Sequence, residues 1–273
     1  MAAIRAAEAK LIVPVLVGPE QKIRSAAQKA GADLARYELV ATEHSHAAAA
    51  KAVELATSRK VEALMNGCIH PDEFMGAIVR EEKLRTARRM SHVFIIDVPG
   101  YPRPLFVTDA GINIYPTLEE KVDIVQNAID LAHVLGLELP RVAILSAVET
   151  VSSKIKSTID AAALCKMADR KQITGAILDG PLAFDNAVSE AAAKTKGIVS
   201  PVAGQADILV VPDLEAGNML ARQLEYLGGA EVSGIVVGAR VPIILTSSAD
   251  KTLARLSSCA VAVLVARHKE IPL

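Results

Sequence analysis

Six residues stand where short apolar runs end: Asp97, Asp109, Ser146, Asp179, Asp213 and Ser247. Carboxylates and hydroxyls are the groups that carry protons and steady developing negative charge. In open parallel sheets, ligands bind outside the carboxyl ends of the strands, so these six form the functional shortlist. Each is equally the cap of a following helix, where its oxygen accepts a backbone N–H. Arg85, Arg88 and Arg89 after Leu84, and Arg240 in Gly238-Ala-Arg240, are cations suited to an anionic ligand. A planar guanidinium meets two phosphate oxygens at once, although solvated surface is the alternative for each. Gly217 and Asn218, read as a helix start, offer backbone amides to an anion or serve as a cap.

The elements that must position these residues alternate in type. Short β-branched runs at 12–18, 63–67, 93–98, 105–110, 142–147, 175–180, 208–213, 234–238 and 242–247 are followed by Ala-rich stretches with helical spacing. Runs that are apolar at every position suit strands buried on both faces of a mostly parallel sheet. A helix is predicted over 118–137, where Val122, Val125, Ile129 and Ala132 recur at helical spacing and Thr117 with Glu120 forms a capping box. Two further helices are expected at 47–56 and 219–227. The pattern builds a doubly wound α/β architecture. The Pro-rich stretch 99–104 and the segment 228–234 are the candidate crossings between two domains.

Composition closes off other classes. With 51% apolar and 22% charged residues among 273, the chain is a globular protein with enough residues for real cores. Its net charge of -1 gives no positive field for a nucleic acid, and 3% aromatics without Trp give few stacking platforms. No run approaches the ~18 apolar residues of a membrane span, and residues 1–20 fit neither a signal nor a transit peptide, so a cytoplasmic address is expected. Cys68, Cys165 and Cys259 are too scattered for a disulfide framework or a zinc site. Neither GxGxxG nor GxxxxGK[ST] occurs, and His44 and His46 have the wrong spacing for one helical face, so no metal is called for.

The segments 211–220 (VPDLEAGNML) and 234–250 (GIVVGARVPIILTSSAD) resemble the C-terminal signature of phosphate acetyl/butyryltransferases. Residues 178–186 (LDGPLAFDN), 91–99 (SHVFIIDVP) and 105–114 (LFVTDAGINI) extend the resemblance over nearly the whole chain. It is closest to the branch often carried behind a MaoC-type enoyl-CoA hydratase domain, although no such domain is expected here. The resemblance implies two α/β domains, the second inserted in the first as in the isocitrate and isopropylmalate dehydrogenases, with the active site in the cleft between them. The expected division is 1–98 with 235–273, and 99–234, with the family's N-terminal strand expected to be missing from the first domain. The implied reaction moves an acetyl or short acyl group between CoA and inorganic phosphate. CoA is then a substrate, no cofactor is permanently bound, and a homodimer is the implied assembly.

Residue by residue, Ser247 matches the family serine whose hydroxyl steadies the charge or the phosphate in the transition state. Ser248 stands where the family carries an arginine for phosphate or CoA, so a cation is missing from that place. The carboxylate taken as base in the acetyltransferases falls on Ala254 in an ungapped match; Asp250, which a butyryltransferase-like pattern also carries, becomes the candidate base. Met65-Asn66-Gly67 replaces Met-Lys-Gly, and Val151-Ser152-Ser153-Lys154 replaces Val-Asn-Pro-Lys. The implied substrate contacts are Ser248, Arg240, Arg88, Arg89, Gly217, Asn218 and Asp179. Alternatives are a catalytically impaired relative that binds CoA or phosphate, a component of a bifunctional hydratase/acyltransferase, and, on fold analogy alone, an oxidoreductase. An acyltransferase is expected to keep its melting temperature when NAD or a divalent metal is added, whereas an oxidoreductase that binds them gains stability.

Overall fold

The computed structural model describes residues 2–247 and 250–268. The first stretch forms α1 (Ala2–Glu8), β1 (Val15–Gly18), α2 (Glu20–Lys29), β2 (Glu38–Ala41), α3 (Ser45–Thr57), β3 (Leu64–Met65) and α4 (Pro71–Arg80). There follow β4 (Ser91–Asp97), β5 (Leu105–Thr108), α5 (Leu118–Val134), β6 (Arg141–Leu145), α6 (Lys156–Asp169) and β7 (Ile177–Leu182). The remainder is α7 (Phe184–Val188), α8 (Glu190–Thr195), β8 (Ile208–Val210), α9 (Leu214–Tyr226), β9 (Glu231–Val237), β10 (Ile243–Ile244) and α10 (Thr252–Arg267). Two compact units result: one runs to Arg88 and resumes at Gly234, and the other is Arg89–Ser233. The division falls ahead of β4 rather than at residue 99.

In the first unit, β1 and β2 pair in parallel. β3 runs parallel to β10, with Leu64 beside Ile243 and Met65 beside Ile244, and β10 runs antiparallel to β9. The predicted runs do not include β2: it begins with Glu38 and is only half-buried, so it lacks the apolar run that marks the other strands.

In the second unit, β5, β8, β6 and β7 are parallel in that order, and β4 lies antiparallel to β5. The sheet is therefore mixed where a mostly parallel one was expected. Residues 98–104 explain the reversal, because a parallel crossover needs a dozen or more residues. That Pro-rich stretch is a hairpin connection, not a crossing between units.

Both faces of this sheet are covered. Leu105, Val107, Ala143, Leu145, Leu209 and Val211 pack with Ala187, Ala193 and Ala221 in one apolar cluster. The alternate residues Phe106, Val142, Ile144, Ile208 and Val210 are also buried, which accounts for runs without polar alternation. The Thr117–Glu120 capping box forms as predicted and starts α5. Among the described residues, no helix is long and apolar enough to cross a membrane.

One buried charge joins α5 to α6. Lys121 Nζ lies 2.8 Å from Asp160 Oδ2, both side chains being about 5% exposed, and Lys156 approaches the same oxygen at 2.6 Å. Burial raises the Asp160 carboxyl, but the hydrogen bonds from Lys121 and Lys156 outweigh it and hold the group below its ordinary value. Its contribution to stability is thus complete above the ordinary carboxylate range and is lost as pH falls through the lowered pKa. Asp160→Asn leaves Lys121 buried without its counter-ion and is expected to cost about 3–5 kcal/mol at neutral pH. Urea denaturation should show the gap to wild type closing in acid.

Candidate active site

Because β3 and β10 are parallel, Asn66 and Ser247 both follow carboxyl ends of strands in the first unit. Ser247 is half-buried. Its N–H donates to Asp250 Oδ2 at 2.7 Å, and the Asp250 N–H returns to the Ser247 carbonyl at 3.2 Å. Arg255, in the first turn of α10, donates from Nη2 to the same carbonyl at 2.8 Å. The two residues predicted to be catalytic are therefore brought together, and one oxygen of Asp250 is engaged with the backbone. Ser248 lies outside the described residues. Sequence reasoning missed Arg255; its position at the start of a helix, eight residues past Ser247, was the available signal.

The predicted arginines have defined surroundings. Arg85 donates to the Val79 carbonyl at 3.0 and 2.9 Å. Arg88 is half-buried, and its N–H donates to the Thr86 hydroxyl at 3.1 Å. Arg240 is exposed and precedes β10 while Ser247 follows it, so strand geometry places the two at opposite ends. In the second unit, Arg89 spends its guanidinium on the Asn113 carboxamide oxygen and, at 2.8 Å, on Glu120. Its charge is thus already matched by a partner.

The parallel strands of the second unit bring several loops to one sheet edge. Asp109 is buried there and accepts from the N–H groups of Gly111, Ile112 and Asn113 at 2.8, 3.0 and 3.1 Å. It also accepts from the Asn113 carboxamide, so it organises a turn. Asp213 caps α9 through the Ala216 N–H at 2.9 Å. Ser146 meets Ser157 at 2.8 Å between their hydroxyls. Glu149, bonded by Asn186 and by Lys196, ties the loop after β6 to α7 and the turn after α8; the Lys196 hydrogen bond holds its carboxyl below the ordinary value. Asp97, by contrast, is exposed at the end of β4, which is antiparallel to β5, so it lies at the opposite end of the strands from these loops.

Three placements correct the sequence reading. Asp179 lies within β7 rather than past its end, because the strand continues through Gly180 and Pro181 to Leu182. β7 is an edge strand, where proline is tolerated. Gly217 and Asn218 are inside α9, which starts at Leu214 behind its Asp213 cap, and the Gly217 N–H already donates to the Asp213 carbonyl at 3.1 Å. Asn218 reaches the Ala110 carbonyl at 3.4 Å. Gly217 is a packing residue: a Cβ there would come within 2.7 Å of Val211 and 2.9 Å of Ala110.

Two of the three cysteines are held as thiols. Burial, with Asp179 and Asp169 nearby, pushes the Cys165 thiol up to about 12, and burial raises Cys259. Neither is a thiolate nucleophile at neutral pH. His44 Nδ1 accepts from the Ala47 N–H at 3.1 Å, and His46 pairs with Glu73 at 2.7 Å. Among the described residues, no group of three or more His, Cys, Asp or Glu side chains is gathered as a metal site.

A family model described as "Phosphate acetyl/butaryl transferase" matches residues 40–263. A phosphate acetyltransferase of Rhizobium meliloti is 62% identical over 268 residues, covering 98% of this chain and 85% of that protein. A phosphate butyryltransferase of Clostridium beijerinckii is 42% identical over 97% of this chain and 88% of its own length. Among solved structures, a branched-chain phosphotransacylase from Enterococcus faecalis V583 superposes with a TM-score of 0.80 at 29% identity, covering 93% of this chain and 99% of that one. The chain belongs to the phosphate acetyl/butyryltransferase family.

Gly217→Ala forces α9 away from Val211 and Ala110, an overpacking expected to cost about 1–3 kcal/mol in chemical denaturation. Asn218→Ala, at the neighbouring position, is expected to cost less than half as much in the same measurement.

Proposed function

We propose that this acyltransferase moves an acetyl or short acyl group between CoA and phosphate at the turn holding Ser247. Acyl transfer between CoA and phosphate is the reaction of its family. The observation that carries the choice of site is the fixing of Ser247 past β10 by Asp250 on one side and Arg255 on the other.

In the direction of acyl phosphate, a phosphate oxygen attacks the thioester carbonyl to give a tetrahedral oxyanion. The C–S bond then breaks, and the CoA sulfur leaves as thiolate and takes up a proton. In reverse, a thiol with an ordinary pKa near ~8.5 must lose that proton before it attacks. The Ser247 hydroxyl is assigned to donate a hydrogen bond to the oxyanion or the phosphate. Asp250 is assigned the proton at the CoA sulfur, because its bond to the Ser247 N–H sets a carboxylate three residues from the serine. Arg255 supplies positive charge beside the serine, where Ser248 brings only a hydroxyl. Arg88 is assigned to phosphate or CoA, and Arg240 to the part of CoA remote from the thioester. A homodimeric, cytosolic enzyme without a resident cofactor, akin to the branch carried behind a hydratase domain, is proposed on resemblance to the family.

The test is CoA release from acetyl-CoA and phosphate by purified protein, with acetyl phosphate measured as product. Ser247→Ala is expected to lower kcat about 10²–10³-fold, the loss typical of one oxyanion donor. Asp250→Asn keeps an acceptor for the Ser247 N–H, so the melting temperature should hold while kcat falls about 10²–10⁴-fold. Ser248→Arg should raise the rate. A Ser247→Ala enzyme at wild-type speed would remove this site, and CoA binding without turnover by the wild type would identify a non-catalytic member instead.

A further inference from the structure

The ladder between β3 and β10 ends with Met65 beside Ile244, where the Asn66 N–H donates to the Ile244 carbonyl at 3.2 Å. Beyond that point a side chain continues it. The Asn66 carboxamide accepts from the Thr246 N–H at 2.6 Å and donates to the Thr246 carbonyl at 3.0 Å. The Thr246 hydroxyl donates to Oδ1 at 3.2 Å and also lies 3.3 Å from the Asn66 backbone carbonyl. A carboxamide presents a donor and an acceptor as a peptide does, so Asn66 adds a rung that the two backbones do not make.

This rung bears directly on Ser247. The Thr246 carbonyl and the Ser247 N–H belong to one peptide plane. Asn66 holds its carbonyl, and Asp250 holds its N–H at 2.7 Å. The next carbonyl, that of Ser247, is held by Arg255 at 2.8 Å. Rotation about the bonds flanking the serine Cα is therefore restrained from three sides, and with it the direction of the Cα–Cβ bond that carries the hydroxyl. Asn66 itself is 3% exposed and presents little surface to any substrate.

We infer that Asn66 is a positioning residue for Ser247, acting through the Thr246–Ser247 peptide. The inference rests on the assignment of Ser247 as the group that meets the reacting atoms. A misplacement of about 1 Å costs up to 10²-fold in rate, so loss of the carboxamide should reduce turnover more than substrate affinity.

The experiment is a double-mutant cycle on acetyl phosphate formation, with kcat, the KM values for acetyl-CoA and phosphate, and the melting temperature measured for each protein. Asn66→Ala is expected to lower kcat about tenfold or more while both KM values stay within about twofold. In the Ser247→Ala background the same substitution should change kcat by less than about twofold, because the group it aims is gone. If Asn66→Ala does not fold, Asn66→Ser takes its place in the cycle: its shorter side chain cannot span both the Thr246 N–H and the Thr246 carbonyl, and it should show the same coupling. Multiplicative losses in the double mutant, or a wild-type kcat in Asn66→Ala, overturn the positioning role while a slow Ser247→Ala enzyme leaves the site standing. A wild-type rate in Ser247→Ala overturns both.

Discussion

A parallel strand that ends leaves backbone N–H and C=O groups without a ladder partner, and a buried group left unpaired costs about as much as a lost hydrogen bond. In this protein side chains meet that demand at several strand ends. Asn66 serves Thr246, Asp250 and Arg255 serve Ser247, and Asp109 serves residues 111–113. Strand ends are also where an α/β sheet presents its ligand-binding groups. A polar residue at a strand end is thus drawn first to the backbone it completes.

The two demands separate the shortlist. Asp109 accepts three backbone N–H groups and a carboxamide, so its oxygens are consumed in shaping one turn. Asp213 caps α9, and Arg89 is tied to Asn113 and Glu120. Asp250 accepts the Ser247 N–H, and that bond places it beside the serine. Satisfying the backbone and assembling the pair are one event at this turn.

Asn66 shows how a substitution reads differently in sequence and in space. Set against the Met-Lys-Gly pattern, it registers as a missing cation. In the fold it is a buried carboxamide bonded to the backbone of a residue 180 positions away. Arg255 is the converse case, a cation that no motif marks and that folding carries back to the Ser247 carbonyl.

The sequence by itself determined the strands of the second unit's sheet, whose runs are apolar because both faces are covered, and the start of α5, whose capping box is local chemistry over four residues. It also marked Ser247, at the end of an apolar run, and Asp250, the carboxylate that follows it; the bond between them spans only three residues. Tertiary structure decided what depends on distant partners: strand direction at β4 and β9, the continuation of β7 through Pro181, the burial of Gly217 against Ala110, and the bond from Asn66 to Thr246. The physical reason is range. Caps and turns are settled by neighbours along the chain, whereas a side chain that completes another strand's hydrogen bonding is defined only when that strand arrives.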